Sequence, residues 1–241
     1  MRNPRIYSPQ TLAEGAQVNL CDSAANHVIK VLRMQADHPV ILFDGKGQAF
    51  QGNITSIHKK NVLVTLLSLI PDITDSPLRI ELGQTLSRGE RMDWAIQKAT
   101  EMGVTEITPL FSERCEVKLP RERQEKRLQH WRQIAVSACE QCGRSTLPMI
   151  HSPLTVTQWL DERSTELNFV LHHRTEKKLT GYTKPASLSL LIGPEGGLTP
   201  GEINAAREKH FNSLALGPRV LRTETAPITA ITLMQYLWGD L

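Results

Sequence analysis

Two apolar runs near the end of the chain each stop at a glycine-proline pair, and this layout constrains the fold more than any other feature. The first reads LLIGPEGG from Leu190 to Gly197, and the second reads LALGPRVLRTETA from Leu214 to Ala226. In open parallel sheets, buried strands lead into tight loops at the carboxyl edge, where ligands bind. Two such loops close together in sequence predict one shared pocket.

The loop after the first run has the pattern of a turn that leads into a helix. Gly196 and Gly197 can adopt backbone angles that other residues avoid, so a ligand could approach the main chain closely. Thr199 fits the N-cap, Pro200 the first helical position and Glu202 the capping box. The free amides of this helix start could bind a carboxylate or a phosphate, although an ordinary strand-turn-helix connection has the same pattern.

The loop after the second run repeats the glycine-proline layout and adds a dense set of polar side chains. Packing beside a buried strand does not require such a set, so it favours a functional site over a plain connection. The set comprises Arg219, Arg222, Thr223, Glu224 and Thr225.

The overall composition bounds the class of protein. A chain of 241 residues and 27.0 kDa suffices for one large domain or two modest ones. No apolar run approaches the roughly 20 residues that cross a bilayer, and the amino terminus lacks the apolar core of a signal peptide. We therefore expect a soluble cytoplasmic protein that does not bind a membrane. The net charge of +3 permits an anionic partner but does not demand one.

The four cysteines do not form a recognisable metal site. Cys139 and Cys142 make a C-x-x-C motif, but no second pair and no spaced histidine couple completes a zinc-binding pattern. We expect no metal, and we expect these two residues to pack as small apolar side chains near a helix end. A redox or metal-binding role is the alternative.

The chain divides into two predicted domains with different patterns. Residues 1–72 contain short β-type runs separated by turn signals, as in a small barrel or sandwich, and one helix with Val31 and Leu32 on its apolar face. A polar, proline-bounded linker is predicted at Pro71–Pro77. In residues 73–241, strand and helix patterns alternate, which is the order of an α/β parallel sheet.

Several segments together carry a resemblance to a known family. In the second domain they are the two loops, EMGVTEITPLFSERC from Glu101 to Cys115 and CEQCGR from Cys139 to Arg144. In the first domain they are PRIY from Pro4, HVIKVLRM from His27 and LFDG from Leu42. These segments closely resemble the ribosomal RNA small subunit methyltransferase E family of the knotted SPOUT superfamily, and the likeness spans nearly the whole chain.

The resemblance implies a fold, a chemistry and partners. It implies an α/β protein with a parallel-sheet SPOUT domain that contains a trefoil knot, and a small amino-terminal PUA-like β-barrel domain that binds RNA. It also implies S-adenosylmethionine as the methyl donor, a homodimer, and methylation of uridine N3 in the 16S ribosomal RNA of the small ribosomal subunit. The order of elements alone would not predict a knot, since threaded chains are rare.

By the same resemblance, the methyl donor lies among the carboxyl-terminal loops and is held mostly by backbone contacts. His172 could equally be a capping or surface histidine, and Glu195 could brace its own loop or meet the donor's ammonium group. The implied donor-binding residues are Leu171, His172, Gly193, Pro194, Glu195, Gly196, Gly197, Leu216, Gly217, Val220, Leu221 and Thr225.

Methylation at uridine N3 assigns two tasks to the site. The nitrogen becomes nucleophilic as its proton leaves, so a fixed cation should stabilise negative charge on the flanking carbonyl oxygens. We expect Arg222 to be that cation, because its forked guanidinium can donate to a carbonyl oxygen and a phosphate. Glu224 is the local candidate to accept the proton, and it could equally hold Arg222 in place as an ion-pair partner.

RNA binding should use a wider surface of cations, with one aromatic ring for stacking on an unpaired base. Each of these charges could alone be solvated surface. The predicted RNA-binding residues are Arg2, Arg5, Tyr7, Lys30, Arg33, Arg88, Arg114 and Arg144.

The sequence leaves two other functions open. One is a noncatalytic RNA-binding factor for ribosome assembly, in which the small barrel carries the function. The other is an enzyme that binds a nucleotide or phosphate at the helix start after Gly197, although the chain has no P-loop lysine motif and no G-x-G-x-x-G fingerprint.

Overall fold

The computed structural model describes residues 3–71, 74–172, 179 and 181–241, and they form two compact units. The first unit comprises Met1–Asp75 and Val136–Leu147, and the second comprises Ser76–Ala135 and Pro148–Leu241. The predicted division after residue 72 is contiguous, so it assigns the Val136–Leu147 segment to the other domain. Part of the predicted linker, residues 72 and 73, lies outside the described residues.

The Val136–Leu147 segment joins the first unit through packing and hydrogen bonds. Cys139 is fully buried in a cluster with Phe43 and Ala49. The backbone N–H of Tyr7 donates to the Glu140 carboxylate at 3.1 Å. Because these partners lie far apart in the chain, no local sequence pattern predicts the grouping.

Five strands form one sheet in the first unit. They are β1 (Arg5–Tyr7), β2 (Gln17–Asn19), β3 (Pro39–Phe43), β4 (Ala49–His58) and β5 (Asn61–Ile70). Their order is β1-β3-β4-β5-β2, with β1 parallel to β3 and the other neighbours antiparallel. Alternate residues of β5 are buried in the core of this unit, namely Val62, Val64 and Leu66.

The predicted helix of the first unit changes its hydrogen-bond pattern partway. A short helix, α1 (Asp22–Asn26), passes into a π-helical turn over His27–Val31, where the Leu32 N–H donates to the His27 carbonyl five residues back, at 3.0 Å. The predicted apolar face is wrong at Val31 and Leu32, which are 67% and 37% exposed. The wider turn changes the rotation per residue, so these side chains leave the buried face.

Seven parallel strands form the sheet of the second unit. They are β6 (Arg79–Thr85), β7 (Glu106–Phe111), β8 (Met149–Ile150), β9 (Leu154–Thr155), β10 (Leu167–Leu171), β11 (Ser187–Ile192) and β12 (Asn212–Leu214). The order is β12-β10-β11-β6-β7-β8, and β9 also pairs with β7. Every pair is parallel, so the predicted α/β parallel sheet is confirmed.

Helices cover both faces of this sheet. They are α2 (Arg91–Glu101), α3 (Arg121–Cys142), α4 (Val156–Asp161), α5 (Pro200–Glu208) and α6 (Thr225–Trp238). Leu190 of β11 packs in the cluster that contains residues of α2, α3 and α6, whereas its neighbour Leu191 packs with α4 and α5. Neighbouring side chains of a strand point to opposite faces, so both faces are buried. The trefoil knot stays a prediction.

The start of α5 matches the sequence prediction. The Thr199 hydroxyl accepts from the Glu202 N–H at 3.2 Å, and the Glu202 carboxylate accepts from the Thr199 N–H at 2.8 Å. Pro200 occupies the first turn, so the predicted capping box is confirmed. Of the helices in the described part of the chain, none is long and apolar enough to cross a bilayer.

Candidate functional site

One cavity lies at the carboxyl edge of the parallel sheet in the second unit. It has a volume of about 710 Å³, and residues that follow β6, β7, β10, β11 and β12 line it. Because parallel strands run in the same direction, these strands end at the same edge of the sheet. Both glycine-proline loops line this cavity, so they share one pocket as the sequence predicts.

All but one of the predicted donor-binding residues line the cavity. The exception is Thr225, which begins α6 and whose N–H donates to the Arg222 carbonyl at 2.9 Å. His172 follows β10, and its N–H donates to the Leu214 carbonyl at 2.9 Å. The predicted residues that line the cavity are Leu171, His172, Gly193, Pro194, Glu195, Gly196, Gly197, Leu216, Gly217, Val220 and Leu221.

A chain of buried hydrogen bonds joins the two loops. Gln84, near the end of β6, donates through Nε2 to the Thr223 hydroxyl at 3.2 Å. That hydroxyl donates to the Gly193 carbonyl at 3.0 Å. Gln84 and Thr223 are 1% and 5% exposed, so the chain is shielded from water and holds the first loop against the second.

The main chain of both loops is open to a ligand. Gly197 and Gly217 have φ values of 69° and 91°, in the left-handed region that favours glycine. A Cβ atom at either position would meet no atom within 4 Å, so open space lies beside the backbone. Gly196 does not have a positive φ, and its carbonyl accepts from Arg114 Nη1 at 3.0 Å.

Four arginines and two glutamates line the cavity. Arg91 Nη1 and Glu195 Oε1 form a short contact of 2.6 Å, whereas Glu224 lies 4.0 Å from both Arg91 and Arg222. The Arg222 side chain is 79% exposed and that of Glu224 is 16% exposed. Within the described residues, Glu224 Oε2 is buried and accepts no hydrogen bond. An exposed guanidinium and a carboxylate with an unused acceptor therefore lie side by side.

The Glu195 carboxylate is committed to protein partners. Burial tends to raise its pKa, but hydrogen bonds from its own N–H, from Arg91 and from the Arg88 N–H outweigh burial and hold the pKa below its usual range. These hydrogen bonds favour the role in which Glu195 braces its own loop. They do not favour direct contact between Glu195 and the ammonium group of the methyl donor.

The predicted RNA-binding residues of the first unit lie in two environments. Lys30 and Arg33 are exposed, and Arg33 has a φ of 52°. Arg5 and Tyr7 instead pack against Phe43, with the guanidinium 5.2 Å and the ring centroid 5.7 Å from the Phe43 ring centroid. Lys30 and Arg33 are therefore the pair that presents its charge to solvent.

The remaining predicted RNA-binding residues are also placed differently from one another. Arg144 is 5% exposed, and its carbonyl accepts from Arg5 Nη2 at 3.3 Å. Arg88 is exposed in the second unit and pairs with Glu116 at 3.0 Å. Arg2 lies outside the described residues.

Two residues beside the cavity are absent from the sequence-based predictions, Arg91 and Gln84. The segment LSRGER over Leu86–Arg91 follows β6 with a glycine and three charges, but it lacks the glycine-proline pair that marks the other two loops. Gln84 carries no comparable signal, because its role depends on a partner far along the chain.

Cys139 of the C-x-x-C motif has the surroundings of a structural cysteine. Cys139 is fully buried, and its hydrogen bond with Cys142 together with burial raises the pKa of its thiol. It therefore stays protonated and unreactive, as a small apolar side chain does. Throughout the described part of the chain, no group of three or more His, Cys, Asp or Glu side chains could hold a metal ion.

Known proteins resemble both units in sequence. A family model described as an RNA methyltransferase domain matches residues 74–235, and one described as an RNA methyltransferase PUA domain matches residues 20–67. The chain is similar to the ribosomal RNA small subunit methyltransferase E of Buchnera aphidicola, with 35% identity over 98% of this chain and 94% of the relative.

Two solved structures resemble the chain over its whole length. One is a methyltransferase from Legionella pneumophila in complex with S-adenosylmethionine, with 41% identity, a TM-score of 0.97 and 100% coverage of both chains. The other is a ribosomal RNA small subunit methyltransferase E from Neisseria gonorrhoeae bound to S-adenosylmethionine, with 40% identity, a TM-score of 0.93 and 100% coverage of both chains.

Proposed function

This chain belongs to the ribosomal RNA small subunit methyltransferase E family, and from this membership we propose that it transfers a methyl group from S-adenosylmethionine to N3 of a uridine in 16S ribosomal RNA. The observation that carries the proposal is the cavity at the carboxyl edge of the sheet. Both glycine-proline loops line it, together with the exposed guanidinium of Arg222 and the carboxylate of Glu224.

The residues around the cavity fit S-adenosylmethionine. Gly197 and Gly217 leave open space where a base and a ribose could contact the backbone. Leu171, Leu216 and Leu221 give the cavity apolar surface. The arginines that line the cavity can bind the carboxylate of S-adenosylmethionine. When bound, S-adenosylmethionine supplies a methyl group on a positively charged sulfur. The relatives from Legionella and Neisseria contain the same molecule, which supports this choice.

The chemistry of uridine N3 assigns different tasks to Arg222 and Glu224. The nitrogen loses its proton as it attacks, and negative charge spreads to two carbonyl oxygens. Arg222 donates to one of these oxygens and stabilises the charge. Glu224 accepts the proton through its carboxylate, whose Oε2 receives no hydrogen bond within the described residues. The chain from Gln84 through Thr223 to Gly193 holds the loops in the arrangement that aligns the nitrogen with the methyl group.

The first unit supports an RNA substrate. It matches an RNA methyltransferase PUA domain, and the exposed charges of Lys30 and Arg33 can contact phosphates. Such contacts position the RNA and leave the choice of nucleotide to the cavity. Because bacterial small subunits are assembled in the cytoplasm, we place the protein there.

A homodimer through α6 is part of the proposal. The side chains of Leu233, Tyr236 and Leu237 on this helix are 40%, 71% and 43% exposed. A contiguous apolar stripe of this kind is typical of an interaction surface. Sedimentation should show a dimer for the wild type and a monomer for Tyr236→Asp, whereas a monomeric wild type would contradict this part of the proposal.

The two alternative functions have less support. A phosphate site at the start of α5 would use its free amides, but Thr199 and Glu202 already bond each other's N–H groups in the capping box. A noncatalytic RNA-binding factor would not need Arg222 and Glu224 on the wall of a cavity of ligand size, and family membership also argues against it.

The experiment that tests the proposal combines labelled S-adenosylmethionine with small ribosomal subunits from cells that lack the gene. Mass spectrometry of the RNA should identify one methylated uridine that carries the group at N3. Calorimetry should detect binding of S-adenosylmethionine and no binding of ATP. Tight RNA binding without methyl uptake would favour the noncatalytic alternative. Calorimetric binding of ATP, with no binding of S-adenosylmethionine, would favour the nucleotide-binding alternative.

A further inference from the structure

Arg91 connects the parts of the proposed site, although no sequence motif assigns it a role. It is the first residue of α2 and follows β6. Its Nη1 donates to Glu195 Oε1 at 2.6 Å, and its Nε lies 4.0 Å from Glu224 Oε2. One guanidinium therefore binds the first loop with one nitrogen and faces the proposed proton acceptor with another.

Glu195 carries the connection to a third loop. Its carboxylate accepts from Arg91, so the start of α2, which follows β6, is held to the loop after β11. The same loop is held separately at Gly193 by the Thr223 hydroxyl. Three separate contacts thus hold this loop, at Gly193, at Glu195 and, through Arg114, at the Gly196 carbonyl.

We propose that Arg91 is a positioning residue that holds Glu195 and Glu224 at a fixed separation and so sets the space in which the methyl donor and the acceptor nitrogen meet. The inference rests on the proposed methyl transfer and goes beyond it, since it assigns the alignment to a residue outside both glycine-proline loops. Arg91 acts through two carboxylates and does not touch the reacting atoms.

The magnitudes separate this role from a general contribution to stability. The side chains of Arg91 and Glu195 are 42% and 40% exposed, and exposed ion pairs change equilibria by about fivefold at most. A displacement of reacting groups by about 1 Å can slow a reaction about 100-fold. A positioning role therefore predicts a large loss of rate with small losses of stability and donor affinity.

The kinetic test compares Arg91→Ala and Arg91→Lys with Arg132→Ala, which removes an exposed arginine of α3 as the control. Arg91→Ala should lower kcat about 30-fold, whereas the calorimetric Kd for S-adenosylmethionine should rise less than about fivefold. Arg91→Lys should restore only part of the rate, because lysine lacks the fork that reaches two carboxylates. Arg132→Ala should match the wild type.

Hydrogen exchange in the donor-free protein gives a readout that does not depend on activity. In Arg91→Ala, the Gly197 amide, which donates to the Pro194 carbonyl at 2.8 Å, should exchange about threefold to fivefold faster. Amides in the middle of α5 should keep their rates. Glu195→Gln should speed exchange of the Gly197 amide by the same factor. The Arg91→Ala/Glu195→Gln double variant should exchange no faster, and lose no more kcat, than either single variant.

Three results would overturn the inference. The first is a wild-type kcat in Arg91→Ala. The second is an equal loss of donor affinity and kcat in Arg91→Ala, which would assign Arg91 to donor binding. The third is a loss of kcat in the Arg91→Ala/Glu195→Gln double variant that equals the sum of the two single losses. A wild-type protein that does not bind S-adenosylmethionine would instead contradict the proposed function, so the two failures are distinguishable.

Discussion

The two ends of the parallel sheet in the second unit both carry charged side chains, but the charges are arranged differently. At the amino end, Glu81 and Glu106 accept from Arg79, Arg163 and His151 at N–O distances of 2.5 to 2.8 Å. The side chains of Glu81 and Arg163 are only 8% and 11% exposed. These charges neutralise one another and stabilise the fold.

At the carboxyl end, the short Arg91–Glu195 pair, at 2.6 Å, lies beside longer ion pairs around an open cavity. Glu224 lies 4.0 Å from Arg91 and from Arg222, and the Arg222 side chain is 79% exposed. Charges that are not neutralised by close partners remain available to a ligand, and such groups mark functional sites. The comparison teaches that the two ends of one sheet differ in how their charges are paired, and we propose that the amino-end charges are structural and those at the carboxyl end reactive.

The largest expected effect is the loss of activity in Arg222→Ala. Removing the cation that we propose stabilises the anionic ring should lower kcat about 1,000-fold. Because the side chain is mostly exposed, the melting temperature should stay that of the wild type. Methyl transfer to small ribosomal subunits and thermal unfolding measure the two effects, and wild-type turnover would remove Arg222 from the mechanism.

For Glu81→Gln at the amino end, we expect a loss of stability with unchanged donor binding, the reverse of the pattern in Arg222→Ala. This change removes the carboxylate that the Arg163 side chain, 11% exposed, contacts at 2.7 Å and leaves only the exposed Glu162 at 3.4 Å. It should lower the free energy of unfolding by about 3 kcal/mol. Donor affinity, measured by calorimetry below the unfolding transition, should not change. A weaker Kd with unchanged stability would contradict the division of tasks between the two ends.

Glu224→Gln tests the reactive end by its pH dependence. If the carboxylate accepts the proton, kcat should fall about 100-fold and the decline in rate at low pH should disappear. The carboxamide keeps nearly the same shape, so the fold should be retained. A reduced rate with an unchanged pH profile would identify Glu224 as a support for Arg222 and assign the proton to another group.

The smallest effect concerns the acid stability of the amino end. Burial tends to raise the pKa of Glu106, but hydrogen bonds from Arg79 and His151 outweigh it and hold the pKa below the ordinary value of 4.5. Its contribution to stability is therefore complete above pH 4.5 and is lost as the pH falls through the lower folded pKa. Urea unfolding at several pH values should show a smaller acid-induced decline in Glu106→Gln, and an identical decline would contradict this role.

Sequence patterns predicted the elements of the site where the signals are local. The capping box at Thr199 and the two glycine-proline loops depend on residues close together in the chain, and the structure contains them. The alternation of strands and helices likewise predicted the parallel sheet, because side chains of a strand repeat on a different period from those of a helix.

The remaining features depend on contacts between distant residues or on a local departure from regular geometry. The partners of Arg91 and Gln84 lie on other loops, so no spacing in the sequence reveals them. The burial of Arg144 follows from the packing of the Val136–Leu147 segment in the first unit. Val31 has the apolar character of a core residue, but the π-helical turn exposes it.

Calorimetry with S-adenosylmethionine on the wild type, Gly217→Val and Gly15→Val tests the central claim most directly. Gly217 and Gly15 have φ values of 91° and 77° and open space for a Cβ atom, so both substitutions strain the backbone alike. Gly217 lines the cavity, whereas Gly15 lies in the first unit. We predict equal affinity for the wild type and Gly15→Val, and binding at least about tenfold weaker for Gly217→Val. Absence of binding to the wild type, or equal affinity of all three proteins, would contradict a donor site at the carboxyl edge of the sheet.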